Sequence, residues 1–352
     1  MNGWDLLGIV VKIGIVVGIT QGAVAYLILV ERKIAAWSQD RIGPNRAGPF
    51  GLLQPLADGA KMLLKEDVIP TYVTKPLYIL APIIAIIAAM IAFAVIPFGP
   101  VGNTGVRLGN GDIQFQIAPG VDIGIVYVFA VGSLGVYAVI LAGWSSNNKY
   151  SFLGGLRSSA QLISYEVPLG MSILGMVLIT GSLDLNAIIN WQDRHFWGIV
   201  VQPFGFLLFL ISAFAETNRL PFDLPESEQE LVGGFHTEYS AMKFGMFFLG
   251  EYLHIITVSY LTVVLFLGGW DFPFVTDQSQ TGWFWAMFKI AVMLAKVSGM
   301  IVFIMWIRWT LPRFRYDTLM DLAWKRLIPI SIANLVVTAT VCQFLFSYSR
   351  SN

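Results

Sequence analysis

The sequence predicts an all-α, polytopic membrane protein with about eight transmembrane helices in a single domain, residues 1–352. Hydrophobic residues make up 56% of the chain and charged residues only 12%, whereas a soluble domain is about 25% charged. A membrane-spanning helix needs roughly 20 consecutive, mostly apolar residues. The segments that meet this requirement cover residues 8–30, 77–98, 121–142, 159–180, 197–216, 241–268, 284–307 and 327–348.

The distribution of Lys and Arg predicts the orientation of these segments. Most of the 22 basic residues fall in loops that follow odd-numbered segments, whereas the other loops and the two tails hold only Arg107, Arg194 and Arg350. Short cytoplasmic loops carry the excess of Lys and Arg in membrane proteins. Both termini are therefore predicted on the outer, periplasmic face.

The first inner loop contains a short amphipathic helix between Gly51 and Glu66. Its polar face and its apolar face separate at helical spacing, which is typical of a helix lying in the membrane interface. A helix packed on the protein's own loops is the alternative. The apolar face holds Leu52, Leu53, Leu56, Ala60, Leu63 and Leu64, and the polar face holds Gln54, Asp58, Lys61 and Lys65.

Several ionisable residues fall inside predicted spans. Glu166, Glu251 and Lys296 lie well within apolar segments, where a charged group is costly and therefore indicates a function. Lys12 and Lys289 lie closer to the outer ends, where a long side chain can extend to the interface, so we interpret them as structural.

The third inner loop, Ala215 to Ser240, concentrates acidic residues around one cation, Arg219. Clustered carboxylates in a low-dielectric environment cannot all be ionised and tend to share protons. The cluster therefore predicts proton uptake or relay, although a solvated acidic loop is the alternative. Alternation with Leu, Phe and Pro argues against that alternative. The acids are Glu216, Asp223, Glu226, Glu228, Glu230 and Glu238.

Other classes of function are excluded by what the sequence holds. A formal net charge of zero does not favour nucleic-acid binding. A single cysteine, Cys342, permits neither an internal disulfide nor a cysteine-ligated cluster. His195, His236 and His254 fall in an outer loop, an inner loop and a span, which does not suit bis-histidine haem ligation.

Four long motifs carry a resemblance to a known family. They resemble the quinone-chamber membrane subunits of respiratory complex I, a family that includes the H-type subunit of bacterial NADH:quinone oxidoreductase and mitochondrial subunit 1. One local departure replaces an E-G-E-S-E run with residues 226–230, which keep the spacing of the three glutamates. The motifs are ERKIAAWSQDRIGPNRAGPFGLLQPLADGAKMLLKED (31–67), LRSSAQLISYEVPLG (156–170), AETNRLPFDLPESEQELVGGFHTEYSAMKFGMFFLGEY (215–252) and RWTLPRFRYDTLMDLAWKRLIP (308–329).

The resemblance implies a subunit of the bacterial inner membrane that encloses a quinone chamber together with hydrophilic-arm subunits. Small membrane-arm subunits and membrane lipid are the other implied partners. Quinone is the implied substrate, and electrons reach it through iron–sulfur clusters held by partner subunits. The resemblance also implies that this chain itself binds no flavin, nicotinamide, haem or iron–sulfur cluster.

The resemblance and the charge pattern together assign two groups of candidate residues. The first lines or supports the quinone path: Arg32, Trp37, Arg41, Arg46, Ala57, Asp58 and Phe222. The second forms one connected protonatable set: Glu216, Asp223, Glu226, Glu228, Glu230, Glu238, Glu166 and Glu251, with Arg219 and Lys296 controlling their ionisation. Lys296 is expected to keep one acid ionised, either Glu251 or an acid on a neighbouring subunit.

Three other functions remain as alternatives. A homologous subunit of a membrane-bound hydrogenase or formate hydrogenlyase would carry similar motifs. A proton-coupled secondary transporter would show inverted repeats and helices broken at the midplane, but the chain shows no clear halves. A purely structural anchor has no use for the embedded charges of Glu166, Glu251 and Lys296.

Overall fold

The computed structural model describes residues 3–101, 104, 107–108, 111–112, 114–223, 231–273, 275–276 and 280–351, and it confirms an all-α fold. A two-residue antiparallel pairing joins Arg107–Leu108 to Gly111–Asp112. In chain order the helices are α1 Gly3–Trp37, α2 Gln54–Leu64, α3 Lys75–Ile91, α4 Gly124–Gly132, α5 Leu134–Ser145, α6 Lys149–Thr180, α7 Leu185–Arg194, α8 Gly198–Val201, α9 Pro203–Glu216, α10 Ala241–Phe266, α11 Trp283–Thr310, α12 Tyr316–Asp321 and α13 Ile328–Ser351.

Within the described residues, seven helical segments are long and apolar enough to cross a membrane, which confirms a multi-pass membrane protein. Together with the shorter α9 they alternate in direction, so the connections gather at two ends of the bundle. We name these the acidic-loop end, which holds 38–74, 217–223 and 231–240, and the opposite end, which holds 181–202, 267–273, 275–276 and 280–282. The segments are Gly8–Trp37, Lys75–Ala94, Gly124–Ser145, Lys149–Thr180, Ala241–Phe266, Trp283–Thr310 and Tyr316–Phe344.

The fifth predicted span, 197–216, is divided rather than continuous. The break falls at Gln202, immediately before α9, because Pro203 has no backbone N–H to continue a helix. The 14 residues of α9 reach about 21 Å at 1.5 Å per residue. Phe209 and Ala213 are buried, so α9 lies within the bundle, where protein replaces lipid around a helix too short to cross alone.

Several helices extend beyond the predicted spans at the acidic-loop end, and α6 extends the furthest, since it begins at Lys149 rather than at residue 159. α1 continues to Trp37 and α11 to Thr310, whereas hydropathy ended the corresponding spans at residues 30 and 307. Glu31 and Arg308 therefore lie on helices rather than in loops. This difference brings both side chains into the bundle interior.

The predicted amphipathic helix is present as α2. Leu56, Leu63 and Leu64 on its apolar side are exposed in the isolated chain. On its polar side, Asp58 forms an ion pair with Arg32 of α1, with Nη1 and Oδ2 2.7 Å apart. This ion pair connects α2 to the end of α1, while Leu56 and Leu64 face outward.

Small residues let helices meet closely at the acidic-loop end, as they do in other membrane proteins. A Cβ added at Gly143 of α5 would lie 2.7 Å from the carbonyl oxygen of Ser151 on α6. One added at Gly154 of α6 would lie 2.7 Å from the Cα of Gly234, which begins a short 3₁₀ helix before α10. The first contact brings α5 against α6, and the second brings the end of the acidic loop against α6.

Candidate functional site

A cavity of about 980 Å³ opens between α1, the first loop, α2 and α10. We name it the first-loop cavity. Ligand-binding pockets typically measure about 300–1,000 Å³ and combine apolar walls with a few polar groups, and this cavity has both. Its charged or phenolic lining residues are Glu31, Arg32, Arg41, Asp58, Tyr252 and Arg308, and its apolar lining includes Val24, Ile28, Leu29, Met62, Phe244 and Phe248.

Part of the predicted quinone path coincides with this cavity. Arg32, Arg41 and Asp58 line it. Trp37 and Ala57 are exposed and lie outside its lining.

Two further members of that predicted group lie elsewhere. Arg46 is exposed and does not line the cavity. Phe222 is buried, with its ring stacked on Phe314 at 5.5 Å and tilted against Tyr165 at 5.9 Å. Phe222 therefore packs the acidic loop onto α6 instead of facing the cavity.

Glu31 occupies the inner wall of the first-loop cavity and is the acceptor for several groups. The hydroxyl of Tyr252 donates to Oε2, Arg308 forms an ion pair with Oε1, and Arg219 Nη1 lies 3.5 Å from the same oxygen. Glu31 is only 6% exposed. A buried carboxylate needs such partners because desolvation penalises an isolated charge.

Arg219 continues this network away from the first-loop cavity. Its Nη2 lies 3.4 Å from Glu251 Oε2, and its guanidinium lies over the ring of Tyr252, 4.4 Å from the centroid. Arg219 is 4% exposed. One buried cation therefore contacts Glu31 on the first-loop cavity and Glu251, which lines a second cavity.

The second cavity measures about 120 Å³ and is enclosed by α3, α4, α5, α6, α9 and α10. We name it the acidic cavity because Glu166, Glu216 and Glu251 line it together with His254. Ser133 donates to Glu166 Oε1 at 2.9 Å, and His254 Nε2 lies 3.4 Å from Glu216 Oε1. Three acids from three helices thus share one small cavity.

The acidic cavity is large enough and polar enough to hold water. A water molecule's share of liquid volume is about 30 Å³, and a buried water needs two to four polar partners. The acidic cavity exceeds that volume and offers several carboxylate oxygens, an imidazole and Thr257. The acidic cavity can therefore hold water beside its carboxylates.

Glu238 is held at the acidic-loop end by a different set of contacts. Tyr72 donates its hydroxyl to Oε2 at 2.8 Å, and Asn148 Nδ2 donates to Oε1 at 2.6 Å. The hydrogen bond to this carboxylate raises the pKa of Tyr72 above its usual value. Glu238 therefore connects the first loop to the start of α6 and does not line the acidic cavity.

Of the remaining acids of the third loop, the structure describes Asp223. The backbone carbonyl of Asp223 accepts a hydrogen bond from Arg313, which precedes α12. Glu226, Glu228 and Glu230 lie outside the described residues.

The structure does not place Lys296 beside Glu251, and the alternative, an acid on a neighbouring subunit, stays a prediction. Lys296 Nζ lies at the opposite end of α10, where it donates to the carbonyls of Leu267 at 2.6 Å, Gly269 at 3.1 Å and Asp271. It also lies over the Trp197 ring at 4.3 Å. Lys296 has these partners because the chain after α10 turns back through Gly268 and Gly269, both with positive φ, and brings carbonyl acceptors to the lysine.

Sequence reasoning missed four residues of the site: Glu31, Tyr252, His254 and Arg308. Glu31 and Arg308 stand immediately beyond predicted spans, so they were counted as loop residues. Tyr252 and His254 stand beside Glu251 in a span that already contained a buried acid. Their closeness to that acid, within one helical turn, was the available signal.

Comparison with known proteins places this arrangement in a family. A family model described as NADH dehydrogenase matches residues 11–339. An H subunit of NADH-quinone oxidoreductase from Koribacter versatilis (strain Ellin345), the one numbered 2, is 47% identical, covering 95% of this chain and 96% of its own.

Two further relatives are H subunits of the same enzyme in other bacteria. The NADH-quinone oxidoreductase H subunit of Leptospira biflexa serovar Patoc is 52% identical over 87% of this chain and 86% of its own. That of Protochlamydia amoebophila (strain UWE25) is 50% identical over 90% and 92%. These matches confirm the resemblance found in the motifs, and the chain belongs to the NADH dehydrogenase family, within the group of H subunits of NADH-quinone oxidoreductase.

Proposed function

We propose that this chain is the quinone-binding, energy-coupling membrane subunit of a proton-translocating NADH:quinone oxidoreductase. In this proposal quinone binds in the first-loop cavity. Its reduction causes protons to redistribute among the carboxylates of the acidic cavity. Hydrophilic-arm subunits complete the quinone chamber and supply electrons through their iron–sulfur clusters. The names of the relatives favour this function over a hydrogenase or formate hydrogenlyase subunit.

The observation that carries the proposal is the Arg219 bridge between the two cavities. Arg219 contacts Glu31 on one side and Glu251 on the other, at 3.5 and 3.4 Å. Two unit charges about 4 Å apart interact by about 4 kcal/mol at an effective dielectric of about 20. A charge change at Glu31 therefore alters the energy of an ionised Glu251 through a single shared cation.

The chemistry of quinone supplies such a charge change. A quinone that accepts two electrons becomes strongly basic and draws protons or cations toward its oxygens. Arg308 and Tyr252 both contact Glu31 and line the first-loop cavity. If either group moves toward the reduced headgroup, Arg219 and then Glu251 respond. Glu216 and Glu166 in the same acidic cavity can exchange protons with Glu251.

The apolar walls of the first-loop cavity support passage of an isoprenoid tail. α2, which forms one wall, exposes Leu56 and Leu64 outside the cavity, and its Leu63 lines the cavity. Exposed leucines on an amphipathic helix favour the membrane interface. The tail would enter from the bilayer beside α2, while Arg32, Arg41 and Asp58 orient the polar headgroup.

The proposal includes location and orientation. The excess of Lys and Arg in one set of loops supports a bacterial inner-membrane protein with both termini in the periplasm. Small membrane-arm subunits would pack beside this chain. Changes in the ionisation of the acidic cavity would alter the ionisation of groups in those subunits. Lipid would cover the remaining apolar surface.

The test replaces single carboxylates of the acidic cavity. Glu216→Gln and Glu251→Gln keep shape and remove titration. Both variants should assemble and oxidise NADH with hydrophilic artificial acceptors, but lose quinone-linked turnover and proton pumping. Glu228→Gln, in the same acidic loop, should behave similarly. Asp317→Asn is the matched control because that carboxylate is exposed and forms a local ion pair with Arg315 at 3.2 Å.

Two outcomes would count against the proposal. A wild-type proton-to-electron ratio in both Glu216→Gln and Glu251→Gln would show that the acidic cavity takes no part in coupling. Purification of the chain as a transporter, without other subunits and without NADH:quinone activity, would favour the secondary-transporter alternative.

A further inference from the structure

His254 places an imidazole among the carboxylates of the acidic cavity. It lies on α10 one turn beyond Glu251, and its Nε2 is 3.4 Å from Glu216 Oε1. The His254 side chain is 25% exposed and the Glu216 side chain 9% exposed. Imidazole is the side chain that ordinarily changes charge between pH 5 and 8.

The groups facing His254 are acidic or uncharged. The titratable lining residues are Glu166 from α6, Glu216 from α9 and Glu251 from α10 itself. Among the described residues that line this cavity, His254 is the one side chain able to carry positive charge. The walls contributed by α3, the 3₁₀ turn that follows it, α4 and α5 consist of Ala85, Ala88, Ala89, Ala92, Val128, Phe129, Gly132, Gly135, Val136 and Val139.

We propose that His254 is a proton-accepting member of the acidic cavity and sets the pH range over which this cavity passes protons. The transfer moves one proton from the carboxyl oxygen of Glu216 to Nε2 of His254, leaving a carboxylate beside an imidazolium. Return of the proton restores the neutral pair. No other atom changes its bonding, so the step needs no further reactant. This inference rests on the proposed function of the acidic cavity.

The geometry gives the pair a role that a third carboxylate could not fill. A proton transferred between two carboxyl groups leaves one negative charge in the cavity. A proton transferred to His254 creates opposite charges 3.4 Å apart, which attract each other strongly in a low-dielectric site. The pair can therefore hold a proton while Glu251 and Glu166 change their own ionisation.

The experiment compares two replacements of His254 by the pH profile of quinone-linked turnover in the whole complex. His254→Gln keeps hydrogen bonding but accepts no proton, so the acid limb of the profile should move to lower pH by up to about two units, the difference between an ordinary imidazole and an ordinary carboxyl group. His254→Lys keeps a cation that does not titrate between pH 5 and 8. It should imitate the protonated state and give low, nearly pH-independent turnover.

Two controls separate this inference from other effects. NADH oxidation with a hydrophilic acceptor reports on the rest of the complex and should keep its wild-type profile. His195→Gln makes the same substitution at an exposed histidine whose Nδ1 lies 3.0 Å from the carbonyl oxygen of Trp191 at the opposite end. Its turnover profile should match wild type.

The outcomes distinguish this inference from the proposed function. If Glu216→Gln loses turnover while the His254→Gln profile superimposes on wild type, the inference is overturned and the proposed function stands. If both Glu216→Gln and Glu251→Gln pump normally, the proposed function is overturned, and this inference with it. Should His254→Gln not assemble, His254→Lys decides, because a wild-type profile in that variant also overturns the inference.

Discussion

Arg219 lies 3.4 Å from Glu251, and both side chains are largely buried between the third loop and α10. The same guanidinium reaches Glu31 at 3.5 Å. Arginine suits this position because its planar group presents donors in two directions. One side chain thus joins carboxylates that face different cavities, so the effect of removing it depends on which acids remain.

We expect Arg219→Gln to destabilise the complex. Removal of one partner from a buried ion pair typically costs about 3–5 kcal/mol because the other charge remains desolvated. Glu31 would retain Arg308, whereas Glu251 would lose its contact with Arg219. The yield of assembled complex on native gels and its thermal midpoint should both fall. Arg219→Lys should recover part of the loss because it keeps the positive charge. The recovery should be incomplete because one ammonium group cannot contact both carboxylates as the guanidinium does.

The double variant Arg219→Gln with Glu251→Gln provides the matched control. It removes both charges of the pair, so assembly should improve over Arg219→Gln alone, while quinone-linked turnover stays low. Normal yield and a normal thermal midpoint in Arg219→Gln would show that the pair contributes little to stability.

Lys296→Met should act through stability at the opposite end of the bundle. The substitution leaves the carbonyls of Leu267, Gly269 and Asp271 without their lysine donor. A buried polar group that loses its partner costs about 1–3 kcal/mol. We expect a lower thermal midpoint, with quinone-linked turnover per assembled complex close to wild type. Lys296→Arg, which keeps donors, should lose less.

A normal thermal midpoint combined with lost turnover in Lys296→Met would restore a direct role in proton coupling. The two measurements together therefore decide between anchoring the end of α10 and controlling an acid elsewhere in the complex.

The sequence predicted the all-α fold and the amphipathic helix because both depend on local patterns. The predicted spans of α1 and α11 ended too early because mean hydropathy falls where charged residues begin. The helical hydrogen bonds continue past that point. Glu31 and Arg308 were consequently assigned to loops. Their mutual contact joins residues far apart in the chain, and no local pattern encodes such a pair.

The sequence predicted which residues belong to the candidate site better than it predicted how they are arranged. Glu166, Glu216 and Glu251 were selected because buried charge is costly, and the structure brings them to one cavity. Lys296 was selected by the same argument, yet its partners are carbonyls. A span shows the depth of a residue but not which neighbour supplies its hydrogen bonds, and here two glycines with positive φ decide it.

Gly59 offers a direct test of the first-loop cavity. It lies on α2 and lines the cavity, and a Cβ added there meets no atom within 4 Å. Gly59→Leu should therefore fold normally and fill space that a quinone would use. We expect a higher KM or a lower turnover with long-tailed quinone, and unchanged NADH oxidation with hydrophilic acceptors.

Ala60→Leu is the companion variant for that experiment. Ala60 is the next residue of α2, is exposed, and lies outside the lining of the cavity. It adds apolar bulk to the same helix, so its quinone kinetics should match wild type. Equal kinetics in Gly59→Leu and wild type would show that quinone does not pass this wall.

The contact between α6 and the end of the acidic loop predicts a difference between two glycines of one helix. A Cβ at Gly154 would lie 2.7 Å from the Cα of Gly234 and 2.8 Å from its carbonyl carbon, and backbone atoms cannot rotate away as a side chain can. Gly154→Ala should therefore cost about 1–3 kcal/mol, as overpacking does, and lower the thermal midpoint of the complex. Gly170→Ala, also on α6, meets no atom within 4 Å and should be neutral or stabilise the helix by up to about 1 kcal/mol. Equal midpoints for the two variants would show that the loop end moves freely against α6.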